Sequence, residues 1–296
     1  MKKIVIFFIF LFLIFSQCKK DTTNPGPAPE PLPILTPGAS SDLFVGAVPG
    51  SFTQKVLVEE FTGTWCVACP EGANEIDRFK IDHPGKVLAA AIHVTDVMQI
   101  SQFDSIEKRF DTVHAVPTCM VNRIAEQGSS YRFFGNDLDM LIKNLLNNDV
   151  KAGLAIESHL KADSLTVTVH AGFKEALAGN YYLTIYLVEY NISHDQRNGY
   201  NTNPNSVFYR RGDPMPGFKH NFVLRKVLTA AMGDVIPSAK IIAKSEAVFI
   251  KKVSVAAYDK SNTEIIAFIT KVGATSDKDE VINVQGVKTG EIKNWD

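Results

Sequence analysis

Residues 55–70 read KVLVEEFTGTWCVACP, and the architecture of the first half of the chain turns on this stretch. Lys55–Phe61 is a short apolar-rich run that reads as a strand, and Thr62-Gly63-Thr64 turns the chain. From Cys69 to about Ile81, Ala73, Ile76, Phe79 and Ile81 recur at helical spacing. Cys66 and Cys69 therefore sit where a helix opens. Residues three apart on a helix lie roughly 5–6 Å apart, a separation that a disulfide spans. The first sulfur falls where unpaired N–H groups and the helix dipole favour negative charge. Its pKa is thereby lowered, and thiolate is the attacking species. On this reading Cys66 attacks a substrate disulfide and Cys69, one turn further in, resolves the mixed disulfide. Pro70 lacks an N–H, which costs little in a first helical turn. Two rivals remain. A zinc site needs four ligands, and this chain has no second cysteine pair and no His83, His93 or His114 at ligand spacing. The other rival is an inert structural disulfide.

Working outward, His83-Pro84-Gly85 ends that helix, and Val87–Ile92 is an unbroken apolar run, as expected of a strand buried on both faces. Ile100–Phe110 reads as a helix with Phe103, Ile106 and Phe110 on one face. Thr118–Val121 and Tyr131–Phe134 read as strands, and Asn136 or Asp137 caps a last helix carrying Leu138, Leu141, Ile142, Leu145 and Leu146. This order predicts an α/β sandwich over residues 42–150. Over 151–296 the pattern changes to many short strands separated by turn residues, which predicts an all-β antiparallel sandwich. Within it Asn191–Gly217, rich in Asn, Gly and Pro, reads as a long surface excursion.

The N-terminus speaks to location. Lys2 and Lys3 precede an apolar run, Ile4–Phe15, that is too short to span about 30 Å of hydrocarbon. It is followed by Ser16, Gln17 and Cys18, so residues 1–18 read as a secretory signal. The ending Phe15-Ser16-Gln17-Cys18 resembles a bacterial lipobox, which implies lipid attachment at Cys18, although Phe15 and Gln17 stand where Leu and a small residue are commoner. Proline recurs through 19–41, an extended spacer holding a folded body away from an anchor. Export makes a disulfide permissible. With a net charge of -1 and scattered Lys and Arg, nothing points to nucleic acid.

Residues 55–148 resemble the thioredoxin superfamily. Trp65 stands directly before the first cysteine, as in that family, and Val116-Pro117-Thr118 matches the loop whose cis proline faces the two sulfurs and docks extended substrate. Glu60 occupies the place where many members keep a buried acid, which implies a proton relay to Cys69; its rival reading is a solvated strand end. Val67-Ala68 between the cysteines departs from the pairs familiar in reductants and oxidants, which leaves the direction of electron flow open. The lipobox, the proline spacer, Glu60–Pro70 and His220-Asn221-Phe222-Val223-Leu224-Arg225 together resemble the Omp-type outer-membrane lipoproteins of Gram-negative bacteria. That resemblance implies an α/β thioredoxin-like sandwich followed by an all-β immunoglobulin-like sandwich, lipid-anchored in the cell envelope. The activity expected is thiol–disulfide exchange on protein thiols, with no cofactor or metal. The competing expectation is a surface lipoprotein that binds a partner through its C-terminal sandwich and keeps the disulfide as a brace. Cys119 reads as a buried apolar residue, and Arg211-Gly212-Asp213 as a turn as much as an adhesion tripeptide.

Overall fold

The computed structural model describes residues 45–110, 115–125, 132–134 and 136–296, so Cys18 and the 19–41 spacer lie outside the described residues. The first elements follow the expected order: β1 (Val56–Thr62), α1 (Cys69–Asp82), β2 (Val87–His93), α2 (Phe103–Phe110), β3 (Thr118–Val121), β4 (Arg132–Phe133) and α3 (Asn136–Leu146). Then come β5 (Ala152–Lys161), β6 (Ser164–Phe173), β7 (Asn180–Glu189), β8 (Ile192–Gln196), β9 (Met215–His220) and β10 (Val223–Val227). The chain ends with β11 (Asp234–Val235), β12 (Glu246–Ser254), β13 (Thr263–Val272), β14 (Glu280–Lys288) and β15 (Ile292–Lys293).

How these strands assemble corrects the expected fold class. The protein is mostly β, and an α/β thioredoxin-like sandwich followed by an immunoglobulin-like sandwich is not what forms. One sheet takes strands from both halves in the order β14-β13-β7-β10-β2-β1-β3-β4, with β11 added on β7. A second sheet runs β12-β6-β5-β15, and β8 and β9 pair as a separate ribbon. The cause lies in β1 and β2, which are buried at every position and run parallel from Val56 opposite Val87 to Thr62 opposite His93. A buried strand with one open edge leaves N–H and C=O groups unpaired in a dry interior. The open edge of β2 is closed by β10: Val223 lies opposite Ala91, and the Ala91 N–H donates to Phe222 O at 2.8 Å. β10 pairs in turn with β7, and the sheet continues through β13 to β14.

Strands β7 and β13 serve two cores at once. Side chains alternate along a strand, so Tyr186, Val188, Ile266 and Phe268 pack with Ile76, Phe79, Ile106 and Ile142 of the three helices. The intervening Leu183, Ile185, Leu187, Ile265, Ala267 and Ile269 pack against β5 and β6. A strand covered on both faces has no polar side to alternate with, which is why both read as near-continuous apolar runs.

Candidate site around the Cys66–Cys69 disulfide

β1 delivers the chain to a tight turn at Gly63–Trp65, closed by the Cys66 N–H donating to Gly63 O at 3.0 Å. The Trp65 indole N–H donates to Val94 O at 2.8 Å and fixes the turn against the end of β2. Cys66 and Cys69 are joined in a disulfide with Cα atoms 5.4 Å apart, and α1 starts at Cys69 with Pro70 in its first turn. Cys66 Sγ lies 3.6 Å from Val116 O, and the Val116–Pro117 peptide bond is cis. Trp65, Cys66, Cys69 and Pro117 therefore lie close together. Cys119 is fully buried on β3, in register opposite Glu60.

Glu60 is buried, not a solvated strand end. Burial pushes its carboxyl up to about 8, the nearby Asp77 of α1 adds to the rise, and a hydrogen bond with the Thr62 side chain opposes it. Its Oε1 finds no hydrogen-bond partner among the described residues. Asp77 is itself pushed up to about 6 by burial, against the pull of Lys80. Glu60, Thr62, Cys69, His93, Gln196 and His220 share the wall of a cavity of about 20 Å³, room for about one water. Burial, with His93 next to it, holds His220 down at about 3 and so neutral at ordinary pH; its Nε2 also lacks a partner. His93 Nδ1 lies 2.7 Å from Asp96 Oδ2. Burial alone would raise Asp96; the His93 contact and the N–H groups of Thr64 and Met98 outweigh it and hold the carboxyl at about 2. A neutral carboxyl beside a sulfur can hand that sulfur a proton when the disulfide opens. Among the described residues, no cluster of three or more His, Cys, Asp or Glu side chains is placed to hold a metal ion.

The close seating of α1 on Glu60 depends on Gly72. A Cβ there would meet Glu60 Oε1 at 2.7 Å, Pro117 Cβ at 3.0 Å and Phe134 Cε2 at 3.1 Å. In an open helix Gly→Ala gains about 1 kcal/mol, whereas forcing a methyl into a packed site costs about 1–3 kcal/mol. Gly72→Ala is therefore expected to be a net loss of up to about 2 kcal/mol in urea unfolding. A gain would mean that α1 shifts freely over Glu60.

Nothing in the residues around Cys66 marks what covers the disulfide. The 191–217 excursion is laid across the Cys66–Cys69 segment. Gln196 Nε2 donates to Cys66 O at 2.8 Å and to Gly63 O at 3.3 Å. The N–H of Arg197 donates to Thr64 O at 2.9 Å, that of Gly199 to Val67 O at 2.8 Å, and the Tyr200 hydroxyl reaches Ala68 O at 3.5 Å. Cys66 and Cys69 are left 5% and 2% exposed. The excursion is held in shape by Arg197, whose guanidinium grips Asp213 at 2.7 and 3.1 Å, and by the Asn198 N–H, which donates to the same carboxylate at 2.9 Å. Asp213 of the Arg211-Gly212-Asp213 tripeptide is thus engaged inside the loop.

Fold and site together define a mostly β protein with a covered disulfide at the head of a helix. The chain belongs to the outer membrane protein Omp28 family, whose profile matches residues 104–293. The match begins within α2, so it takes in Pro117 and His220 but not Glu60, Trp65, Cys66 or Cys69. Membership places the protein among outer-membrane or envelope proteins. No curated protein matches the sequence. Among solved structures the chain is similar to HBP35 of Porphyromonas gingivalis, with a TM-score of 0.62 and 19% identity over 81% of this chain and 77% of that one. A protein from Agrobacterium tumefaciens matches with a TM-score of 0.49 and 13% identity, over 81% of this chain and 96% of that one. Among the described residues no helix is long and apolar enough to cross a membrane.

Proposed function

We propose that this protein is a lipid-anchored component of the outer membrane that acts by binding a protein partner through its strand-rich second half, with Cys66–Cys69 as a structural brace. The observation that carries this reading is the cover over the disulfide. Thiol–disulfide exchange requires an incoming thiolate to reach a sulfur, and here the sulfurs are nearly closed off while Gln196, Arg197 and Gly199 bind the carbonyls around them. The brace fixes the surface on which the excursion rests. Membership of an outer membrane family and the lipobox ending at Cys18 support the location and the anchor.

A second reading, exchange on protein thiols, has specific observations in its favour: the protonated Glu60 shares a cavity with Cys69, and the cis Val116–Pro117 bond lies beside Cys66. One experiment separates the two. The Cys69→Ser protein, expressed in its own envelope and run on non-reducing gels, is expected to accumulate no mixed disulfides through Cys66. Reduction of the native protein is expected to cost stability of about 2 kcal/mol, the closure entropy of so short a loop. Ready capture of envelope proteins through Cys66 would replace the brace with the enzyme.

A further inference from the structure

β12 is an edge strand of the smaller sheet, paired with β6 alone from Glu246 opposite Gly172 to Ser254 opposite Ser164. Which of its backbone groups face outward follows from the bonds at its two ends. The Phe173 N–H donates to Ser245 O at 3.1 Å, and the Val255 N–H donates to Asp163 O at 2.8 Å. Bonded and non-bonded pairs alternate in an antiparallel ladder, so residues 247, 249, 251 and 253 bond to β6. Residues 246, 248, 250 and 252 then present their N–H and C=O groups to the open edge. Their side chains share the solvent face, and at its centre Val248 and Ile250 are 48% and 67% exposed. Proteins blunt such edges with proline, bulges or charge. This edge has no proline, and Lys251 reaches Asp234 at 2.6 Å, leaving Lys252 as the one lysine of β12 on the solvent face.

The edge is complementary to itself. Set antiparallel against a second copy with Phe249 opposite Phe249, it brings Glu246 opposite Lys252 at both ends and Val248 opposite Ile250 in the middle. All four outward residues are then in the hydrogen-bonding phase. Shifting the register one way puts Glu246 opposite Ile250 and carries Lys252 past the end of β12. Shifting it the other way puts Val248 opposite Lys252. Parallel pairing sets Lys252 beside Lys252. We propose that this chain self-associates through β12 as a two-fold dimer, joining the two smaller sheets into one continuous antiparallel sheet. The contact is independent of the role of the disulfide and of the binding of another protein elsewhere on the second half.

The full chain in detergent is expected to show a concentration-dependent dimer by sedimentation velocity. Lys252→Glu, which leaves the Glu246 contact with His170 in place, is expected to weaken the dimer by about tenfold, since symmetry turns two cross-strand charge pairs repulsive. Adding Glu246→Lys to it is expected to restore most of the affinity. Under mild oxidation, Val248→Cys and Ile250→Cys chains are expected to cross-link when mixed and not when kept apart. A monomer across the dilution series overturns the proposal, as does self-linking of either cysteine variant, which would report a different register. So does uptake of an added extended peptide along β12 by a monomeric chain, which would give the edge to a different protein.

Discussion

Replacing Glu60 by glutamine is expected to stabilise the protein at neutral and alkaline pH and to flatten its pH dependence. In the folded state burial, with Asp77 next to it, raises the Glu60 carboxyl from 4.5 to about 8. Between those values the folded chain holds a proton that the unfolded chain has released. Stability from this group is therefore fully present below pH 4.5 and is lost as pH rises through 8, at about 1.4 kcal/mol per pH unit. Asp77, raised to about 6, loses stability in the same direction over a lower window. Glutamine keeps the shape of the side chain without the ionisation, so the two proteins should match near pH 4.5 and diverge above it. At pH 7.5 the variant should be more stable by roughly 2–4 kcal/mol, the upper end falling if the amide is left partly unpaired. Urea unfolding at a series of pH values reads this directly. Parallel curves for the two proteins would mean that Glu60 is ionised in the fold, and that its cavity is wetter than the unpartnered Oε1 implies.

The second large effect is expected at Arg123, which is buried on the other face of β1 from Glu60. Its Nε and Nη2 donate to Glu59 at 2.7 and 2.8 Å, and Nη2 also reaches the Tyr186 hydroxyl at 3.1 Å. That hydroxyl donates to Glu59 at 2.8 Å, and the guanidinium lies 4.9 Å from the ring centres of both Phe110 and Phe268. Burial works against the charge, and Glu59 outweighs it, raising the Arg123 pKa. Removing one member of such a pair strands the other in a dry interior, so Arg123→Met is expected to cost about 3–5 kcal/mol. Taking out both charges, as Glu59→Met with Arg123→Met, should recover part of that loss. The recovery stops short because the Tyr186 hydroxyl loses its acceptor, worth about 1–3 kcal/mol. A double variant no better than the single one would show that packing between Phe110 and Phe268, and not the ion pair, carries the effect.

These two carboxylates show how unevenly the molecule can be read from its residues. Adjacent positions on a strand must face opposite ways, so the separation of Glu59 from Glu60 was legible. That Glu59 would meet an arginine was not, because Arg123 lies far along the chain and nothing local marks it as buried. Glu60 was singled out through a resemblance whose fold the structure does not bear out, yet its burial is real. His220 was noticed beside Asn221 and Phe222, but its place in the wall of the Glu60 cavity follows from its ring lying 5.4 Å from that of His93 at the end of β2. Gln196 was not noticed at all: a glutamine in a polar loop carries no signal until the loop lands on Cys66.

Local physics accounts for the features that rest on near neighbours. The residues themselves specify the strand of β1, the turn at Gly63, the helix from Cys69 and the cysteine spacing that makes a disulfide possible, because dihedral preferences and side-chain periodicity act within a few residues. That the sheet does not close within the first half emerges only from long-range packing. An unpaired strand edge specifies that a partner is needed and not which strand it is, and β10 is more than a hundred residues from β2. The same holds for the disulfide. Its chemistry was written at residues 66–69, but its access was decided by Gln196, 130 residues away, bonding to the Cys66 carbonyl.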